Sequence, residues 1–249
     1  MSKVFEGLKV VELASVLAGP AVGMFFAELG AEVIKIENKL TGGDITRTWR
    51  LTSESLSDDR SAYYCSINYG KQVLMLDLKE KSDRKILNGL IADADIVLSN
   101  FRTPIAQKLH VQYEDIKALK SDVIFAELTG YPNSDRPAYD VVLQAETGFM
   151  HMTGERGGVP VKMPVALIDI LAAHQMKEGI LVALIQKLKT GKGAHVQVNL
   201  FDSALASLAN QATNWLVAKH IPEAIGSAHP NIAPYGDVFE DNAGRYFVL

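Results

Sequence analysis

The chain has 249 residues, 48% hydrophobic and 22% charged, enough to bury a full core and to carry more than one domain. A formal charge of −4 and a pI near 5.9 exclude a surface built to neutralise nucleic-acid phosphates, although a few local cations can still hold an anionic small molecule. The single cysteine, Cys65, excludes a disulfide framework or a cysteine-based zinc site within one chain and fits the reducing cytoplasm.

In chain order, Leu8, Val10, Val11 and Leu13 read as a buried strand, Ala18-Gly19-Pro20 as a turn, Ala21 to Gly30 as a crossover helix and Val33 to Ile36 as a second strand. Glu6, Lys9 and Glu12 interrupt any secretory apolar run at this end. The unit has the plan of a nucleotide-binding half-domain. Its loop, Ser15-Val16-Leu17-Ala18-Gly19-Pro20, nevertheless holds one glycine where a dinucleotide turn of the G-x-G-x-x-G type needs three, which argues against an NAD-dependent dehydrogenase. Strands at Val73 to Leu76, Ile96 to Leu98 and Val123 to Leu128 then alternate with helices near Lys81 to Ala92 and Tyr113 to Leu119. This alternation predicts an α/β fold: a Rossmann-like open parallel sheet with helices on both faces.

A Gly/Pro-rich stretch, Gly148 to Pro164, leads into a long helix over Val165 to Leu188, whose apolar positions Ile170, Leu171, Ala173, Met176, Ile180, Leu181, Leu184 and Leu188 are expected to face the core. Asp169, His174, Lys177 and Glu178 exclude it as a lipid-spanning segment. A strand at His195 to Asn199 and a helix from about Phe201 to Lys219 follow. The expected division is a Rossmann-like domain over 1–220, a linker over 221–234, and over 235–249 the start of a smaller α+β domain. Gly236 to Phe239, a polar turn and Arg245 to Leu249 read as a hairpin that is marginal alone, so partners from a longer polypeptide or another subunit are expected.

Ligands of open α/β sheets bind beyond the carboxyl ends of the strands, which directs attention to Ser15 to Leu17, Glu37 to Lys39, Ser99 to Arg102 and Thr129 to Tyr131. Lys39, Lys71, Arg102, Lys108 and Arg136 lie in or near these segments and are either phosphate partners or solvated surface cations. Asp169 stands out inside the apolar run Val165 to Leu171. A carboxylate there reads either as an N-terminal helix cap or as an anionic nucleophile stabilised by a helix N-terminus. The six histidines show no metal-ligand spacing. Gly191-Lys192-Gly193 departs from a phosphate loop, since Gln186 and Gly193 occupy its required positions, and reads as a helix-to-strand turn.

Together these residues resemble the family III CoA-transferases, a group that also contains α-methylacyl-CoA racemase. The resemblance covers nearly the whole chain through L-A-S-V-L-A-G-P (Leu13 to Pro20), G-A-E-V-I-K-I-E (Gly30 to Glu37), G-D-x-x-R-x-W (Gly43 to Trp49), S-N-F-R (Ser99 to Arg102), D-R-P-A-Y-D (Asp135 to Asp140), the glutamine-to-glycine motif of Gln144 to Gly154, and the segment Lys189 to Ala204. It implies an acyl-CoA:carboxylate CoA-transferase in which Asp169 attacks the donor thioester and passes through an aspartyl-CoA thioester. It also implies CoA or acyl-CoA as substrate, with no permanently bound cofactor and no metal, and a carboxylic acid as acceptor. Neither nucleic acid nor membrane is an expected partner. Val16 and Leu17 would lie at the adenine side, with Asn100, Phe101 and Lys108 on CoA-contacting segments, Lys71 and Arg136 near the phosphates or pantetheine, and Lys39, Arg102 and Tyr139 also among the CoA-binding residues. Some members carry an arginine at position 38; here Asn38 is followed by Lys39, which shifts the cation by one residue.

The racemase branch uses a histidine where this chain has Tyr139, and a tyrosine of ordinary pKa near 10 is a poor proton shuttle at neutral pH, so transfer is favoured over 2-methylacyl-CoA racemisation. Family members are usually more than a hundred residues longer and form interlocked homodimers. The resemblance therefore also admits a truncated, non-catalytic CoA-binding fragment. The glycine-rich loop that many of these transferases fold over the aspartyl intermediate has no counterpart in the sequence.

Overall fold

The valine- and isoleucine-rich runs pair as parallel strands in the computed structural model, which describes residues 3–55 and 57–248. Two compact units emerge: Met1–Ala138 with Asp169–Ser203, and Tyr139–Ile168 with Ala204–Leu249. The first unit contains β1 (Lys9–Leu13), α1 (Ala18–Glu28), β2 (Glu32–Asn38), α2 (Ala62–Asn68), β3 (Gln72–Leu76), α3 (Lys81–Asp93), β4 (Ile96–Ser99), α4 (Thr103–Lys108), α5 (Tyr113–Leu119) and β5 (Ile124–Thr129). It also holds most of α8 (Leu167–Thr190) and all of β6 (Ala194–Asn199). In the second unit are α6 (Asp140–Glu146), α7 (Phe149–Met152), the last three residues of α9 (Leu200–Ala206), α10 (Asn210–Ala218) and an antiparallel hairpin of β7 (Val238–Glu240) and β8 (Tyr246–Val248).

The six parallel strands run in the order β3-β2-β1-β4-β5-β6, the doubly wound arrangement expected of a Rossmann-like sheet. Parallel strands covered on both faces read as nearly continuous apolar runs, and Ile96, Val97 and Leu98 of β4 are all buried, with Ser99 buried at its end. Leu87 and Ile91 of α3, Val111 and Ile116 of the α5 region, and Phe125 of β5 build one side of the core. Each fully buried side chain of this kind contributes about 1.5–3 kcal/mol. The chain reverses its winding direction between β1 and β4, so the crevice at the switch point opens between the loops that follow these two strands.

Several local expectations change. Ala18-Gly19-Pro20 is the first turn of α1 rather than a connecting turn; proline fits there because the first turn of a helix has no use for its missing N–H. The reversal of direction happens upstream, where Val16 takes a φ of 72°. The helix expected from Phe201 to Lys219 is broken between Ala206 and Asn210, where Ala209 also has a positive φ. On α8, Ala172, Ala173, Met176, Ile180 and Ala183 are buried, whereas Leu188 is exposed and Ile170, Leu171, Leu181 and Leu184 are only half-buried. The small residues on the inward face let this helix lie close to the sheet; a Cβ at Gly179 would stand 2.7 Å from Val196 Cγ1 of β6. Of the expected terminal strand, Tyr246–Val248 pairs with Val238–Glu240, and Leu249 lies outside the described residues.

Candidate active site

The loop after β1 is held from two directions. Asn100, just past β4, uses both ends of its amide on Ser15: its Oδ1 accepts from the Ser15 N–H at 3.1 Å and its Nδ2 donates to the Ser15 carbonyl at 2.8 Å. The amide thus spans the switch-point crevice, and its hydrogen bonds to Ser15 make it a tie between loops as well as an expected CoA neighbour. From the other side, the Val16 N–H donates to the Asp44 carboxylate at 3.2 Å. A β-branched residue with φ in the left-handed region is an outlier, because its Cβ crowds the backbone.

Beneath this loop lies a network of buried charge that a linear reading missed. Glu12 and Lys35 are register partners on β1 and β2, both fully buried, with Lys35 Nζ 2.9 Å from Glu12 Oε1, 2.6 Å from the Ala14 carbonyl and 3.0 Å from Asp44 Oδ2. Burial alone would lower the Lys35 pKa, but the facing Glu12 and Asp44 hold it above the ordinary lysine value. Asp44 also accepts from the Thr46 N–H at 3.0 Å and the Thr46 hydroxyl at 2.9 Å. Its own N–H donates to Glu37 Oε2, the oxygen that Arg47 Nε reaches at 2.8 Å. Gly43 makes this possible: its φ is 100°, and a Cβ there would lie 2.2 Å from Glu37 Oε2. Desolvation works against the Glu37 carboxylate, yet its bonds to Arg47, Tyr64 and Asp44 pull its pKa below the usual carboxylate range.

Lys71 departs from its expected role. It precedes β3, at the amino end of that strand, and its ammonium is enclosed, 2.8 Å from Glu12 Oε2, 2.8 Å from the Pro20 carbonyl and 2.9 Å from Asn68 Oδ1. A cation so committed to the fold is not offered to a phosphate. Burial pushes its pKa down to about 8, with Glu12 opposing and Lys35 assisting the shift. Helix α1 passes closely over this group because residue 23 is glycine; a Cβ there would meet Glu12 Oε2 at 1.8 Å.

The remaining expected CoA neighbours differ in exposure and in partners. Leu17 is half-buried; Phe101 packs against the core; Arg102, at the start of α4, and Lys108, in its last turn, are exposed. Lys39 is exposed and paired with Asp83 at 2.7 Å. Arg136 stacks its guanidinium 4.1 Å over the Tyr131 ring and hydrogen-bonds its hydroxyl. Tyr139 is 68% exposed at the start of α6. A polar cavity of about 430 Å³ opens beyond β5 and β6, lined in part by Thr103, Glu127, Thr129, Asn133 and Asn199. Glu127 on its wall is held ionised by a 2.9 Å contact with His195, and its pKa falls accordingly.

Asp169 is the third residue of α8, so it is not the N-cap. Because α8 connects β5 to the parallel strand β6, it runs antiparallel to the strands, and its N-terminus lies at the carboxyl edge of the sheet. Half-buried in the first helical turn, the Asp169 carboxylate stands where the free N–H groups of a helix favour negative charge. Capping, one of the two readings of Asp169, falls to another residue: Asp140 Oδ1 accepts from the Ile168 N–H at 2.7 Å. Gln144, fully buried, donates from Nε2 to Asp140 Oδ2 at 2.6 Å and accepts at Oε1 from the Met163 N–H at 2.8 Å. Among the described residues, no group of three or more potential metal-ligating side chains occurs, and no helix is long and apolar enough to cross a membrane.

The fold and the comparisons define the chain's class as CoA-transferase family III. The model of that family matches residues 5–249, and the chain belongs to it. It is 39% identical over 237 residues to succinate–glutarate CoA-transferase of Agrobacterium fabrum, covering 92% of this chain and 59% of that protein. Human succinyl-CoA:glutarate CoA-transferase is 37% identical, with coverages of 94% and 53%. A crystal structure of a CAIB/BAIF family protein from Brucella suis superposes with a TM-score of 0.88 at 38% identity, over 100% of this chain and 66% of that one. The chain thus spans little more than half the length of the curated relatives it matches.

Proposed function

We propose that this chain carries the CoA-binding and nucleophile-bearing part of an acyl-CoA:carboxylate CoA-transferase acting through Asp169. The observation that carries the reading is the half-buried carboxylate in the first turn of α8, at the carboxyl edge of a Rossmann-like sheet. The carboxylate attacks the donor thioester carbonyl and expels CoA as thiolate, leaving a mixed anhydride between Asp169 and the acyl group. The thiolate then attacks the Asp169 carbonyl, releasing the donor acid and leaving an aspartyl-CoA thioester. The acceptor carboxylate attacks that thioester and repeats both steps in reverse, so that the aspartate is regenerated and the acceptor leaves as its CoA thioester. Covalent catalysis divides the transfer into easier steps, and helix N–H groups stabilise the anionic nucleophile.

The loops of Ser15–Leu17 and Asn100–Arg102, with Lys108 and Arg136, are the proposed CoA contacts; Lys39 is a peripheral cation and Tyr139 a neighbour of the reacting end. Relatives named for succinate, glutarate and oxalate make short dicarboxylates the first donors and acceptors to try. The proposal includes a cytoplasmic homodimer, supported by the lone cysteine and by the exposed Val182, Ile185 and Leu188 spaced three apart on α8. The exposed hairpin residues Phe239 and Phe247 support reading residues 235–249 as part of a second domain, joined to 1–220 through 221–234.

Incubating the full-length protein with a panel of acyl-CoAs, then with hydroxylamine, should convert Asp169 to its hydroxamate, detectable by peptide mass, and Asp169→Ala should abolish turnover. A folded wild-type protein that gives no adduct with any donor would sink the transferase reading. Exchange of the α-proton of a 2-methylacyl-CoA into deuterated water, lost in Asp169→Ala, would replace it with racemisation.

A further inference from the structure

The Gly43-Asp44-x-x-Arg47-x-Trp49 motif has no part in the chemistry above, yet its aspartate is 5% exposed and makes contacts in three directions. One is to Lys35, one to the turn at Thr46, and the third reaches 28 positions back in the chain to the N–H of Val16. Valine in the left-handed region costs on the order of 1–3 kcal/mol and persists only where its surroundings impose it. The surroundings are identifiable: Asp44 fixes the Val16 N–H, and Asn100 fixes both polar groups of Ser15. Asp44 is fixed in turn by Lys35 and by its own N–H on Glu37, so it cannot follow the loop if the loop relaxes.

We propose that Asp44 is a positioning residue for CoA: it imposes the left-handed conformation of Val16 and so sets the shape that the Ser15–Leu17 loop presents at the switch-point crevice. The inference rests on the CoA-binding reading of that loop. Asp44 is buried and works through Val16, with no direct contact to the ligand. Its specific signature is coupling to residue 16. With glycine at 16 the left-handed conformation carries no penalty, so the loop keeps its shape without the clamp.

The experiment compares wild type, Asp44→Ala, Val16→Gly and the double variant, all in the full-length protein. Hydrogen exchange of the residue-16 N–H reads the clamp without ligand, and titration with CoA reads its effect. Asp44→Ala should speed exchange at Val16 by about tenfold or more while the amides of β4 and β5 keep their protection. It should weaken CoA binding by about tenfold, with the loss in turnover assays falling on KM rather than kcat, and most of that loss should vanish in the Val16→Gly background. If Asp44→Ala does not fold, Asp44→Leu takes its place, keeping much of the side-chain volume while offering no acceptor to the Val16 N–H. Unchanged Val16 exchange, or a loss of CoA affinity equally large with valine and with glycine at 16, overturns the inference. Failure of the wild type to bind CoA overturns the functional reading instead, and the exchange data still decide whether Asp44 holds the loop.

Discussion

Two stretches of backbone underlie the proposed chemistry, and they are held by different means. Ser15–Leu17 is held chiefly by charge: behind Asp44 stand Lys35, Glu12 and Lys71, all buried. Met163–Ile168, which leads directly into Asp169, is held by a neutral glutamine and one carboxylate. Buried charges are worth little as a set compared with well-packed apolar residues, but removing one partner strands the others in a poor solvent. A neutral amide can be removed at smaller cost. The difference teaches that no charged member behind the first stretch can be lost singly, whereas the neutral support of the second can be adjusted.

The largest effect is expected from Lys35→Met, which leaves Glu12 and Asp44 buried without the ammonium between them. Equilibrium urea unfolding should show a loss of roughly 3–5 kcal/mol, and a loss below about 1 kcal/mol would remove charge as the distinguishing feature of this stretch. Lys71 sharpens the comparison through pH. Its folded pKa of about 8 lies below that of an unfolded lysine, so between pH 8 and 10.5 the unfolded chain binds the extra proton and stability rises with pH. Wild type should therefore gain roughly 3 kcal/mol over Lys71→Met across that window, and a gain absent or reversed would mean that Glu12 keeps the ammonium charged.

Gln144→Leu tests the neutral side. It leaves the Met163 N–H without its acceptor and should cost roughly 1–3 kcal/mol, while turnover falls more than CoA affinity, since Asp169 is the residue displaced. Equal losses in the two kinetic readouts would show that the segment serves binding instead. The smallest change is expected from Asn100→Ala, about 1 kcal/mol in unfolding experiments because Ser15 can turn to water, with a larger relative loss in CoA binding.

Much of the fold could be read in advance because apolar periodicity reports it. The helix at Tyr113–Leu119 lies where its pattern places it, and all six parallel strands stand within a residue or two of their apolar runs. Short helices such as Thr103–Lys108 and Phe149–Met152 have too few turns to show a period, and a proline in the first turn of α1 was mistaken for a connection. Asp169, the proposed nucleophile, stands out in the sequence because its charge interrupts an apolar run. The same signal was present twice more and passed over: Glu12 and Lys35 each interrupt a valine- and isoleucine-rich strand, with opposite signs. Read singly, each looks like a solvent-facing residue; only strand register brings them together. The tie between Asn100 and Ser15 is less accessible still, because 85 residues separate its partners and nothing local requires them to meet.

That separation has a consequence for assembly. The loop after β1 takes its shape from Asp44, which follows β2, and from Asn100, which follows β4, so both neighbours of β1 must be docked before the loop can adopt it. Contacts spanning such lengths of chain are made late, after the cost of closing the intervening loops has been met. A nascent or partly melted chain can hold native helices and most of its sheet and still lack the loop shape proposed to receive CoA. The proposed CoA crevice is in this sense a certificate of completed folding.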